Sequence, residues 1–308
     1  MSESNQVARP TQSFVGTMTW VRKHPKLVLL EVLWRWIVGI PALVYSWHLV
    51  THVMATTPWR ETGIAELSIN KLLTDPMAGS NVIASALLVA WPALKPELMV
   101  AVPIFVVAWV IVASMGRTLV LRAMDRAAMH ARPLTLIVLN LLRAIAIVAT
   151  VWVWWSVLSY VAKRTILEPS MAGGEPQVMV YVGAAIVLTI GLFMVWAIFG
   201  WVFGIAPLLA MLRNLGAWQS LRAALRLGKL RDRLIEINLV MGIVKIALLV
   251  LLMVFSATPL PFQSVATEDF LVKWTLGVSV LYFIASDYFH VTRLAAYLYL
   301  WKDEQIAK

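Results

Sequence analysis

The sequence predicts an all-α, polytopic transmembrane bundle of six spans, and three observations carry that reading. The 308 residues are 61% apolar and only 14% charged, where a soluble domain carries roughly 25% charged residues. Apolar runs long enough to cross about 30 Å of hydrocarbon recur along the chain. Between them the basic residues gather in alternate connections, the pattern of loops retained on the cytoplasmic side. The formal charge of +10 is therefore read as a topology signal, and no nucleic-acid partner is expected.

Residues 1–12 are polar and expected to be disordered. From 13 to 26 a short amphipathic helix places Phe14, Met18 and Val21 on one side. Span one follows over 27–50. That run outlasts the 7–15 residues of a signal-peptide core, so it is expected to stay uncleaved, with Pro41 kinking it. In the connection 51–96, Ile64–Leu73 reads as a surface helix. Val82–Trp91 reads as an interfacial or re-entrant piece, too short to span. Span two (98–115) continues into a second basic helix over 117–132, which Pro133 ends. Span three covers 134–160 and span four 178–212. Span four carries Gly200-x-x-x-Gly204, a spacing that lets another helix approach closely. A third basic helix (213–233) is expected to run without a break into span five (234–255), and span six covers 270–300. The whole, 1–308, reads as a single membrane domain.

Counting basic residues by side gives sixteen on one face and six on the other, which places both termini on the cytoplasmic side. Trp47, Trp59, Trp152, Trp154, Trp155 and Trp274 then fall near the outer interface, and Trp20, Trp218 and Trp301 near the inner one, where an amphipathic indole is stable. The order surface helix, span, loop, span occurs three times, and Asn140 and Asn238 occupy similar places in spans three and five.

Chemistry motifs are few. With no cysteine there is no disulfide, thiolate metal site or cysteine nucleophile. His48 and His52 share a helix face, but no third ligand accompanies them, so interfacial side chains are expected and no metal. No phosphate-binding glycine loop, His-Glu-x-x-His or Gly-x-Ser-x-Gly occurs. The reading is therefore not an enzyme, with no cofactor. Charges inside spans are costly and usually face protein or a wet cavity. Glu31 and Arg35, four residues apart, are expected to pair on their own helix. Arg143, Lys245, Asp287, His290, Asn140 and Asn238 form the candidate intramembrane polar cluster. Counting at 1.5 Å per residue puts Lys245 roughly 16 Å and Asp287 roughly 15 Å from the inner face, which predicts that they meet. Arg122, Arg126, Arg222, Arg226, Lys229 and Arg233 are the candidate contacts for anionic headgroups or a membrane or cytoplasmic protein partner. In the third basic helix they are expected on one face, with Ala217, Trp218, Leu221, Ala224 and Leu225 on another.

The run Ser220-Leu221-Arg222-Ala223-Ala224-Leu225-Arg226-Leu227, with the close Ala296-Tyr297-Leu298-Tyr299-Leu300-Trp301-Lys302-Asp303-Glu304, resembles the membrane-domain family of glycerophosphoryl diester phosphodiesterase and related uncharacterised six-span bacterial membrane proteins. The likeness covers the last third by residues and the rest by layout. It implies the six-span fold, and it brings neither an activity nor functional residues. The function expected is a non-enzymatic membrane protein that scaffolds partners or organises lipid at the inner face. The alternative is a transporter of a small anionic or lipid-like solute working through Arg143, Lys245 and Asp287.

Overall fold

A computed structural model describes residues 10–66, 68, 76–226, 230–257 and 267–306. The described residues hold eight helices longer than a single turn and no strand: α1 (Pro10–Lys23), α2 (Pro25–Thr56), α3 (Pro76–Met124), α4 (Pro133–Ala162), α5 (Val178–Leu212), α6 (Ala217–Leu225), α7 (Leu230–Ala257) and α8 (Glu268–Ile306). Six of them are long and apolar enough to cross a membrane. The chain is an all-α, multi-pass integral membrane protein.

Local chemistry sets the helix boundaries. Pro25 and Pro133 stand at first helical positions, where the missing N–H is an orphan in any case. A one-residue break at His24 separates α1 from α2. Between α5 and α6 the chain reverses through Asn214, which takes φ 55°, a left-handed conformation that asparagine tolerates better than most residues. Gln219 Oε1 then accepts the Gly216 N–H at 3.2 Å and satisfies a donor at the start of α6.

Four expectations are revised. Residues 82–91 are not a separate piece: α3 runs through them, carrying Pro92, Pro96 and Pro103 inside it. The basic segment after span two is the last part of the same helix, which stops at Met124 before a turn containing Arg126. The third basic segment does break, because α6 ends at Leu225 and Arg226 leaves the helical region (φ −110°, ψ 43°). No other described helix approaches closely at Gly200 or Gly204, since a Cβ added at either would meet nothing within 4 Å. The surface helix expected over 64–73 begins as a 3-10 turn, Ile64–Glu66, and its remainder lies largely outside the described residues.

The packing divides the chain into two compact units, Met1–Leu33 with Ser114–Lys308, and Trp34–Ala113. In the first, the core gathers at the basic end of the helices. Ile205, Leu209 and Met211 of α5 meet Leu136 and Leu139 of α4, Leu234 and Met241 of α7, and Leu294 and Tyr297 of α8. A second cluster joins Val21 and Leu27 to Val291 and Ala295, tying α1 and the start of α2 to α8. The far halves of α4, α5 and α7 turn large apolar side chains outward, the surface that acyl chains cover in a membrane. Lipid is as apolar as leucine, so the helices associate through close packing and hydrogen bonds more than through exclusion of water. Two such bonds join neighbours: Trp196 Nε1 to Thr150 Oγ1 at 3.1 Å and Trp274 Nε1 to the Phe255 carbonyl at 2.7 Å. In the second unit, the Tyr45 hydroxyl donates to Glu97 Oε2 at 2.7 Å and links α2 to α3.

Candidate functional site

Glu31 is the most deeply buried charge among the described residues, with a side chain 0% exposed. It sits six residues into α2, just above the junction where α1 packs on α8. Arg117 Nη1 lies 3.9 Å from its Oε1 and His290 Nε2 lies 3.6 Å from the same atom. His290 Nδ1 is 2.9 Å from Arg293 Nη2. A guanidinium only donates, so Nδ1 is the acceptor and the imidazole carries its proton on Nε2, facing Glu31. The result is a relay across three helices: Arg293 to His290 on α8, His290 to Glu31 on α2, and Arg117 on α3 closing the other side. Asp287, one turn before His290, is buried as well. A buried carboxylate needs cationic or hydrogen-bonding groups around it, and Arg117 and His290 lie beside Glu31.

The six residues of the expected intramembrane cluster lie on three helices, α4, α7 and α8. His290 joins Glu31. Asn140 Nδ2 donates to Ser114 Oγ at 2.9 Å and so ties α4 to α3. Asn238 Oδ1 accepts the Tyr297 hydroxyl at 2.5 Å, tying α7 to α8, while its Nδ2 donates to the Leu234 carbonyl at 2.8 Å. Arg143 is half-buried on α4, Lys245 exposed on α7 and Asp287 buried on α8. Arg35 sets its guanidinium 5.3 Å from the Trp34 ring. The reading of the sequence missed the part played by Arg117 and Arg293. Helix depth would have found them: Glu31 stands six residues from the start of α2 and Arg117 seven from the end of α3, similar distances from the basic end.

At that end the connections are clasped. Asp125 Oδ1 accepts the N–H groups of Ala127 and Ala128 at 3.1 and 3.0 Å, and its Oδ2 pairs with Lys302 at the end of α8. The Lys302 hydrogen bond, helped by that from the Ala128 N–H, holds the Asp125 carboxyl below the usual aspartate range. His130 donates its backbone N–H to the Met211 carbonyl at 2.9 Å, and its Nδ1 approaches the same oxygen at 3.2 Å. Arg132 grips Asn214 through Nε on Oδ1 at 2.5 Å and Nη2 on the carbonyl at 3.1 Å. Arg213 stacks 4.3 Å from the Trp301 ring, a cation–π contact between the same loop and α8.

This clasp holds α6 on the bundle with its small-residue side inward. Ser220 and Ala224 are buried, while Trp218 is 75% and Leu225 63% exposed. At 100° per residue, Trp218, Arg222, Leu225 and Arg226 form one outward stripe. The expected division, with arginines opposite Trp218 and Leu225, is thus revised: both kinds of side chain share the free face. Arg126 and Arg233 are exposed, Arg122 half-buried, and Lys229 lies outside the described residues.

His48 and His52 are exposed on α2, and no group of three metal-ligating side chains occurs among the described residues. Comparison with models of protein families, with curated proteins and with solved structures finds no match, so the resemblance rests on residues 220–227 and 296–304 and the layout of spans alone.

Proposed function

We propose that this integral membrane protein is non-enzymatic and organises anionic lipid, and through it partner proteins, at its basic face. The observation that carries the reading is the outward stripe of α6. A half-inserted helix needs an apolar anchor and a cation side by side, the first for the acyl boundary and the second for phosphate. Trp218 and Leu225 supply one, Arg222 and Arg226 the other. The clasp around Asp125, Arg132 and Asn214 keeps that stripe in a fixed place on the bundle, which favours recognition over loose attachment. Purification in native lipid, followed by identification of co-purifying lipids and proteins, tests it. Enrichment of anionic lipid over the bulk membrane supports the reading, and bulk composition refutes it.

The same proposal sets the chain in a bacterial inner membrane, as the resemblance implies, with both termini cytoplasmic on the sixteen-to-six division of basic residues. Reporter fusions after Thr57, Met129, Gly173 and Lys229 test that orientation, and an external signal after Met129 overturns it. A second reading, a carrier for a small anionic or lipid-like solute, draws on the burial of Asp287 beside the Glu31 relay. Uptake by reconstituted vesicles that Asp287→Asn abolishes would favour it.

A further inference from the structure

Within the unit Trp34–Ala113, the end of α2 and the first half of α3 form an open-sided cavity of about 270 Å³, with Val50, Met54 and Leu87 exposed along its rim. Val50, Val53, Met54, Trp59, Ala86 and Ala90 are among its lining residues, and every described residue of the wall is apolar. The one polar atom of the indole is already engaged, since Trp59 Nε1 donates to the Met54 carbonyl at 3.0 Å. A held water needs two to four polar partners, and the described wall offers none, so the space suits hydrocarbon rather than water. The space exists because Ala86 and Ala90, one turn apart on α3, present only methyl groups there, and both are buried. Its volume lies just under the roughly 300–1,000 Å³ of pockets for compact small molecules. A slender chain suits it better than a ring system.

The surroundings say what the chain belongs to. The cavity lies where the apolar helix α2 stops and the turn Trp59–Thr62 begins, the level at which an indole marks a membrane interface. Next to Trp59 in that turn stand Arg60 and Glu61, both exposed. A cation beside a carboxylate complements a headgroup carrying phosphate and ammonium together. We infer that this cavity is a binding site for one acyl chain of a zwitterionic phospholipid, with the headgroup at Arg60 and Glu61. The inference is independent of the role assigned to α6 at the basic end.

The test uses the full chain with a phosphatidylethanolamine bearing a photoactivatable group in its acyl chain, and peptide mapping of the label. The expected result is saturable labelling of residues 50–59 and 83–94, lost on addition of unlabelled phosphatidylethanolamine. Filling the cavity by Ala86→Leu with Ala90→Leu should remove that label and leave labelling of α5 unchanged. Label that rises without saturation, to the level seen along α5, would overturn the site as ordinary exposure to lipid. So would label that survives in the filled variant. Should the filled variant not fold, saturation and competition in the natural chain decide alone, and failure to compete refutes the site.

Discussion

Replacing Glu31 by glutamine keeps the shape of the side chain and removes its charge. Arg117, with a side chain only 19% exposed and 3.9 Å away, then faces a neutral amide across a dry contact. At that separation and an effective dielectric of 20, the lost attraction is about 4 kcal/mol. Removing one partner of a buried pair costs about 3–5 kcal/mol in general. The N···O separation exceeds hydrogen-bond length, which sets the expectation at the lower end, about 3 kcal/mol. That is roughly a hundredfold fall in the folded-to-unfolded ratio. Arg117→Met should cost a similar amount, because it removes a cation from beside a fully buried carboxylate. The double change removes both charges, so its cost should fall short of the sum of the singles by about 1–3 kcal/mol. Reversible unfolding of the purified chain in mixed micelles measures all four proteins. A Glu31→Gln protein within about 0.5 kcal/mol of the natural chain, or additive single effects, would refute the relay as a structural lock.

The Asp125 carboxyl is held below its ordinary value by Lys302 and the Ala128 N–H. The stability it contributes is therefore present above about pH 4, the unfolded aspartate value, and is lost as pH falls through the depressed folded value. Lys302 is 45% exposed, which limits the contribution to about 0.2–1 kcal/mol; Asp125→Asn should flatten the acid limb of a stability–pH profile by that amount. Tyr297→Phe removes the hydroxyl from Asn238 and should cost about 0.6–1.7 kcal/mol, the range for hydrogen bonds between membrane helices, read by the same unfolding assay. The equal depths of Lys245 and Asp287 predict that Lys245→Met and Asp287→Asn each lower folded yield and that the double change restores much of it. Undiminished yield in both singles would dissolve that pair.

The number and order of the spans were legible because length decides them: an apolar run that crosses hydrocarbon has few other places to go. Span four was read with the bounds of α5, 178–212, since a Gly-rich loop precedes it and Arg213 follows. The continuity of α3 was not legible, because 82–91 alone is too short to span and Pro92 and Pro96 follow it. A proline removes one hydrogen bond and is accommodated in membrane helices when local adjustment satisfies the freed carbonyl. The face of α6 was misassigned for another reason. Periodicity gives the axis of an amphipathic helix, but here the inward side is built from Ser220 and Ala224, small residues that let α6 sit close. Hydrophobicity therefore pointed away from the core. The partners of Glu31 lie 86 and 259 positions along the chain, and only helix depth, not local spacing, brings Arg117 and His290 to it.

The central claim is that the outward stripe of α6 selects anionic headgroups, and titrating the full chain in neutral nanodiscs with anionic phospholipid tests it most directly. Each basic residue near an anionic surface contributes about 1 kcal/mol, so Arg222→Gln with Arg226→Gln should weaken binding by about 2 kcal/mol, roughly thirtyfold. The loss should shrink as salt rises, because exposed charges are screened. Equal affinity for neutral and anionic lipid, or a double variant that binds as the natural chain does, would contradict the account.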